Sequence, residues 1–380
     1  MNKRIGLPFA ACLSALLCCA TFARAQLPRD QMTSRTIPLA SPDWVFTMDP
    51  QWPVGLIAKV WIIDGRTRKL LGQLSGGYMS NFEISPDRRE LYMIDTYYSR
   101  GWRGTRTDVV SIFDAHTLDY RGEVVIPPKR IVVVPKRYDT GLTPDGRFLL
   151  VANMTPATSV SVVDLKARKF VGEIDTPGCT EILVSGNRRF SSICADGSFM
   201  TVTLDDSGRL KSKTQGKPLF NPNKDPVFDQ PAVSSARAYF ITYHGMVLPV
   251  DLPGAEPVAE PEWPLLGAGD KGWLPGGWQA VAYQRKTGLL YVLMHQGGAW
   301  THKQPGSEVW VFDAKSKRRV RRIKLKDPGY CMRVTDDANP LLFILPPPLP
   351  DTSLETYSAT DGKFLGAYEH VGSSILMYGP

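Results

Sequence analysis

The sequence predicts an all-β fold, a seven-bladed β-propeller, on three observations. One strand-turn-strand phrase returns seven times along the 380 residues. A second phrase, built on a Pro-Asp turn, opens an apolar strand ahead of several of those copies. No stretch combines a helical apolar period with caps, which disfavours a sheet alternating with helices.

The recurrent phrase is a short alternating strand that ends in an acid, then a turn, then a returning strand. It first appears as Val60-Trp61-Ile62-Ile63-Asp64, followed by Lys69-Leu70-Leu71-Gly72-Gln73-Leu74. Period-two alternation of β-branched and aromatic residues, closed by turn formers, is the pattern of a hairpin. It returns at Val110-Ser111-Ile112-Phe113-Asp114 and Val160-Ser161-Val162-Val163-Asp164, and later copies end at Asp205, Asp251, Asp313 and Asp361. These marker acids are spaced by 50, 50, 41, 46, 62 and 48 residues, and the 62-residue step implies an insertion around residues 262–277. In Ser85-Pro86-Asp87 and Thr143-Pro144-Asp145-Gly146 the second phrase supplies another hairpin turn, because Pro presets φ and Asp and Gly accept tight-turn conformations. Two hairpins in a unit of about 40–50 residues make a four-stranded blade. Two stacked β-sandwiches would use similar strands but would impose no such repeat.

The N-terminus reads as an export signal over residues 1–25. Lys3 and Arg4 precede an apolar stretch, and Ala23-Arg24-Ala25 offers a small-residue cleavage site. Pro8 and Ser14 interrupt the stretch, so no retained membrane anchor is expected. Cys18 and Cys19 lack the small neighbour of a lipid-attachment site. Cleavage would leave residues 26–380 as a single propeller domain. The net charge of +8 falls to +5 once Lys3, Arg4 and Arg24 are lost, and the remaining basic residues are scattered. That distribution argues against a nucleic-acid partner.

Cys179, Cys194 and Cys331 survive cleavage into an oxidising compartment. Cys179 and Cys194 lie fifteen positions apart across a predicted hairpin, which favours a local disulfide. Metal ligation is the competing reading, disfavoured by the absence of C-x-x-C spacing and of a nearby histidine. Cys331 is then a buried, unpaired thiol.

Self-contained catalytic motifs are missing. There is no G-x-S-x-G elbow, H-E-x-x-H or phosphate-binding loop with Lys. Gly267-Ala268-Gly269-Asp270-Lys271-Gly272 matches G-x-G-x-x-G, but Trp273-Leu274-Pro275 follows where a helix would be needed, so it reads as a glycine-rich loop. His295 and His302 could meet across a loop, without further ligands nearby to hold a metal. The acid pairs Asp205-Asp206 and Asp336-Asp337 read as solvated turns. Tyr78 after Gly76-Gly77, and Tyr97-Tyr98 before a basic loop, are the aromatic residues best placed to reach a ligand.

Several longer phrases, taken in order, resemble the large subunit of the quinoprotein amine dehydrogenases, methylamine dehydrogenase and, more closely, aromatic amine dehydrogenase. They include Gly76-Gly77-Tyr78, Arg106-Thr107-Asp108-Val109-Val110, Pro127-Pro128-Lys129-Arg130 and Trp273-Leu274-Pro275-Gly276-Gly277-Trp278-Gln279-Ala280, then Tyr291-Val292-Leu293-Met294-His295 and Thr301-His302-Lys303. The Cys179 to Cys194 interval also keeps that family's disulfide spacing. The resemblance implies a periplasmic complex of two propeller subunits and two small subunits. Each small subunit would carry tryptophan tryptophylquinone, made from its own tryptophans, so the nine tryptophans of this chain are not cofactor precursors. The implied reaction converts a primary amine, either aromatic such as phenylethylamine or methylamine, to aldehyde and ammonia, with electrons passing to a blue copper protein or a cytochrome. This chain would then supply no catalytic residue and no cofactor or metal ligand; it would scaffold the small subunit and wall the substrate pocket. Family members place a Phe after the first glycines to border that pocket, and the matching residue here is Tyr78. A stand-alone periplasmic propeller that binds a ligand without redox chemistry is the alternative.

Overall fold

The computed structural model describes residues 36–380 apart from 54, 56, 235, 349 and 350. The export signal predicted over residues 1–25, with Cys12, Cys18 and Cys19, lies outside the described residues. Residues Thr36–Pro380 form one compact unit, and its described residues form strands and turns, with no helix among them.

Seven antiparallel sheets make seven blades. The second is the plainest: Asn81–Ile84, Glu90–Arg100, Arg103–Asp114 and Tyr120–Ile126 run from the innermost strand to the outermost. The first blade takes its three outer strands, Trp44–Asp49, Lys59–Asp64 and Lys69–Ser75, from the start of the described chain. Its innermost strand, Leu376–Tyr378, comes from the other end. Phe46 pairs with Tyr378 across that seam, closing the ring without leaving an open edge there.

Strand periodicity builds the core. Neighbouring residues on a strand face opposite sides of the blade and enter different inter-blade layers. Met93 packs toward the first blade with Phe46 and Val60, whereas Ile94 packs toward the third with Leu149 and Val151. Phe148 and Val162 of the third blade in turn face the fourth, beside Ile182 and Phe190. A one-residue slip in any blade would exchange both layers, so the alternation that predicts strands also fixes their register.

The marker acids sit at the turn between the third and fourth strands of each blade. Asp64 accepts backbone N–H bonds from Arg66 at 2.9 Å and Thr67 at 3.0 Å. Asp114 does the same for His116 and Thr117, and Asp205 for Ser207 and Arg209. Just inside these turns the pairing slips by one residue in the first, second and third blades, where Leu71, Arg121 and Val171 bulge out beside Gly72, Gly122 and Gly172 on the same outermost strand.

The predicted insertion is ordered. Trp263–Pro264 extends the fifth blade by pairing with Met246 and Val247, and Trp273–Pro275 pairs with Leu289–Gln296 of the sixth. Cys179 and Cys194 stand opposite each other in the first hairpin of the fourth blade and form the disulfide. Cys331 is buried and free. Its thiol donates to the Ile375 carbonyl at 3.0 Å, and burial pushes its pKa up to about 12.

Candidate functional site

The blade topology divides the loops between two ends. The turns capped by the marker acids share the lower end with the Pro-Asp turns, because both follow the same strand direction. The loops joining one blade to the next share the upper end with those joining second to third strands. The upper loops carry the functional candidates.

Tyr78 lies in the loop between the first and second blades. The two glycines before it are required by close approach: a Cβ on Gly76 would collide with the Asp95 carboxylate, and one on Gly77 with the Thr96 carbonyl. Asp95 is fully buried and holds the loop from beneath. It accepts the Gly77 N–H at 2.9 Å, the Ser80 hydroxyl at 2.5 Å and the Ser111 hydroxyl at 2.7 Å. The ring of Tyr78 is left half-buried, edge-on to Tyr98 with centroids 6.2 Å apart.

A second buried charge holds the same loop from the other side. Arg130 donates to the Tyr78 carbonyl at 3.2 Å, the Thr96 hydroxyl at 2.9 Å and the Asn81 amide oxygen at 3.2 Å, and also to the Met79 carbonyl. Burial lowers its pKa, and Asp108 leads the carboxylates that oppose the shift. Asp108 binds the Arg130 N–H at 3.0 Å and grips Arg106 through both oxygens, at 2.9 and 2.8 Å. Guanidinium against carboxylate in this forked geometry offsets the desolvation that an isolated charge would suffer.

From there a polar chain runs around the mouth of the central channel. Asn81 donates to the Lys136 carbonyl at 2.9 Å. The Lys136 ammonium sits between Glu181 and Asp229, 2.7 Å from each. Burial works against that charge, but the two carboxylates outweigh it and raise the pKa of Lys136. Glu181 reaches Lys136 from a bulge in the innermost strand of the fourth blade, where its own φ is +55°; bulges commonly re-aim a side chain in this way. Gln230 then accepts the Arg137 N–H at 2.8 Å and donates to the Trp278 carbonyl at 2.9 Å. Lys303 lies over the Trp278 ring at 4.3 Å, and burial lowers its pKa. Four inter-blade loops are thereby tied into one frame.

The same end exposes apolar side chains. Trp52, Trp102 and Trp300 are 44%, 57% and 78% exposed, and all three lie on upper loops. Ile57, Tyr97, Val133 and Met154 are exposed there as well. Among the described residues, the other large exposed hydrophobic residues lie on outermost strands or in the N-terminal segment, not on lower turns. Apolar surface gathered at one end, rimmed by charge, is the composition of a protein-docking surface.

The histidines do not converge. His295 Nε2 lies 2.7 Å from the Thr301 hydroxyl, while His302 stacks on Tyr243 with centroids 3.9 Å apart. Among the described residues no three metal-ligating side chains cluster. The glycine-rich loop folds around Asp270, which accepts the Gly267 N–H at 2.8 Å and pairs with Arg319 at 2.8 Å. Asp336 and Asp337 are not merely solvated: they pair with Arg285 at 2.6 Å and Arg66 at 3.0 Å, which come from the two neighbouring blades. Sequence reasoning assigned no role to Asp95, Arg130, Lys136 or Glu181. Arg130 was visible only as the end of the Pro127-Pro128-Lys129-Arg130 phrase, and a bulge at Glu181 leaves no local signature.

The family model for the methylamine dehydrogenase heavy chain matches residues 43–377. The heavy chain of methylamine dehydrogenase from Methylophilus methylotrophus is 30% identical over 99% of this chain and 95% of its own length. That from Methylorubrum extorquens is 32% identical over 87% and 80%. Among solved structures, a putative 6-phosphogluconolactonase from Bacteroides fragilis superposes with a TM-score of 0.59 at 10% identity, over 90% of this chain and 99% of that one. A dihydro-heme d1 dehydrogenase gives 0.56 at 14%, over 93% and 78%. At those identities the structural matches speak to the propeller fold alone.

Proposed function

The chain belongs to the methylamine dehydrogenase heavy-chain family, and from that premise we propose that it is the large subunit of a periplasmic quinoprotein amine dehydrogenase that converts primary amines to aldehyde and ammonia. The observation that carries this reading is the upper end of the propeller: exposed Trp52, Trp102 and Trp300 around a frame of buried charges that fixes Tyr78. A small subunit docked there would bury the tryptophans, and two of each chain would complete the complex.

Tryptophan tryptophylquinone on that small subunit supplies the electron-accepting chemistry when the complex is assembled, before electrons leave for a blue copper protein or a cytochrome. The tryptophans of this chain that pair most closely suit packing instead. Trp310 is fully buried with its indole N–H on Glu308 at 2.8 Å, and Trp273 lies 5.3 Å from it beneath Arg322.

Three tasks fall to this chain's own residues. Asp95 and Arg130 hold the Gly76-Gly77-Tyr78 loop so that one aromatic wall keeps its place. The Tyr78 and Tyr98 rings offer electron-rich faces to a protonated amine arriving from water. The exposed apolar side chains exclude solvent on docking, which strengthens electrostatics at the enclosed site. The hydroxyl that distinguishes Tyr78 from the family's Phe would change which amine fits without changing the chemistry.

Co-expression with the small, cysteine-rich partner tests the proposal. The pair should oxidise methylamine or phenylethylamine, and the isolated chain neither. Tyr78→Ala should shift the ratio of kcat/KM for the two amines by about tenfold while leaving assembly intact. An unaltered ratio would remove Tyr78 from the pocket wall.

A further inference from the structure

The seven innermost strands enclose a central cavity of about 310 Å³. Three charged side chains line it: Glu83, Arg137 and Arg333. Glu83 is fully engaged. It accepts both terminal nitrogens of Arg137, at 2.8 and 3.4 Å, and the Thr140 hydroxyl at 2.8 Å. Arg137 also stacks on Tyr378 at 4.8 Å. One cation and one anion therefore cancel.

Arg333 has no such partner. Its Nε is sealed from solvent without a hydrogen bond, and among the described residues its guanidinium forms neither a hydrogen bond nor an ion pair. The carboxylate that favours its charge, Asp336, is held by Arg285 at 2.6 Å. Burial pushes the pKa of Arg333 down to about 10, and Arg137 and Arg285 add repulsion. Gly379 lets the group lie where it does, since a Cβ there would overlap the Arg333 Nη2. The cavity thus carries one positive charge more than it neutralises, on a planar fork with free donors. Such a fork matches two oxygens of a carboxylate or phosphate, and Arg333 is half-buried on the cavity wall, so an anion entering the cavity can reach it.

We propose that the central cavity binds a small oxyanion, a carboxylate or an inorganic phosphate, with Arg333 as its two-pronged partner. This site is separate from Tyr78 and does not depend on amine oxidation, so its test needs no turnover. The full chain, co-expressed with its small partner and dialysed into an anion-poor buffer, would be titrated by calorimetry with sodium phosphate and, separately, sodium succinate. One of the two should bind saturably with one site per chain, and the tighter of the pair identifies the source as inorganic phosphate or a carboxylate. Arg333→Gln should weaken that binding at least about tenfold, and Arg66→Gln, at the lower end, should leave it unchanged. The anion should raise the Tm of the wild type but not that of Arg333→Gln. Without anion, that variant should melt no lower than the wild type, because an uncompensated charge has gone. If Arg333→Gln does not fold, Arg333→Lys, which keeps the charge but loses the fork, should bind more weakly than wild type. No saturable binding by the folded wild type up to about 10 mM, or equal binding by wild type and the Arg333 variants, would overturn the proposal and leave a water-filled channel.

Discussion

The two ends of the propeller are held by interactions of different range. At the lower end, Asp64, Asp114 and Asp205 each accept backbone N–H groups two to four residues away. The same device repeats from blade to blade because the same turn does. At the upper end, Arg130 reaches Thr96 and Tyr78 over sequence separations of 34 and 52, and Arg137 reaches Gln230 over 93. One device does recur there, since Asp49 accepts the Ser373 N–H and hydroxyl as Asp95 accepts the Gly77 N–H and the Ser80 hydroxyl, but it is overlaid by the longer-range contacts of Arg130, Lys136 and Gln230. Local turns therefore specify the ring of blades, while non-local charge networks free the upper loops from the repeat and let each take a separate shape. A site for one particular partner belongs at the irregular end.

The largest expected effect comes from the upper frame. Arg130→Met would strip four side-chain hydrogen bonds, two of them to the Tyr78 and Met79 carbonyls of the loop and two to Thr96 and Asn81 of the second blade, and would remove the buried cation whose charge Asp108, Asp95 and Asp139 favour. Breaking a buried charge network in this way costs about 3–5 kcal/mol. The denaturant midpoint should fall accordingly, and the complex with the small subunit should weaken. A loss near 1 kcal/mol would show that the frame is a solvated ornament and that the two ends do not differ.

Next is the disulfide of the fourth blade. Replacing both Cys179 and Cys194 with Ser opens a loop of sequence separation 15 and should lower stability by about 3 kcal/mol through the unfolded chain. Non-reducing peptide mapping should recover the two cysteines in one linked fragment, with Cys331 as the free thiol.

A pH experiment separates the ends further. Burial pushes the Asp139 carboxyl from its ordinary 3.8 up to about 7. The groups facing it are the Lys136 N–H and ammonium, which favour the charge, Glu181, which opposes it, and Arg130, which favours it. Between these two values the folded chain keeps a proton that the unfolded chain has released. Asp139 therefore makes stability fall as pH rises through that window, and its contribution levels off above about 7. Asp139→Asn should flatten that part of the decline in urea midpoints measured from about pH 4.5 to about pH 8. An unchanged slope would exclude Asp139 as its source.

The smallest effect belongs to the lower end. Asp64→Ala removes one turn cap and should cost about 1 kcal/mol, with no change in binding of the small subunit.

This contrast also explains what could be read from the residues alone. The seven blades were legible because each marker acid and each alternating strand acts on near neighbours, so the pattern survives in one dimension. The insertion was legible as a long step, but not as strands, since Trp263–Pro264 and Trp273–Pro275 are too short to alternate visibly. The Cys179 to Cys194 pairing followed from a single hairpin. Asp95, Arg130, Lys136 and Glu181 were invisible as a group. Their meaning lies in contacts across blades, and Glu181 depends on a bulge that shifts its strand's register. Tyr78 stood out only through the phrase around it, and its two glycines gained a physical reason once Asp95 and Thr96 were seen beneath them.

The central claim is that the upper end receives a small subunit. Hydrogen–deuterium exchange on the chain alone and on the co-expressed complex tests it directly. Protection in the complex should concentrate in residues 50–58, 76–80, 96–106 and 297–305, with the lower turns at 65–68, 115–119 and 205–209 unchanged. Protection centred on the lower turns, or none at either end while no small protein co-purifies, would contradict the account and favour a propeller that works alone.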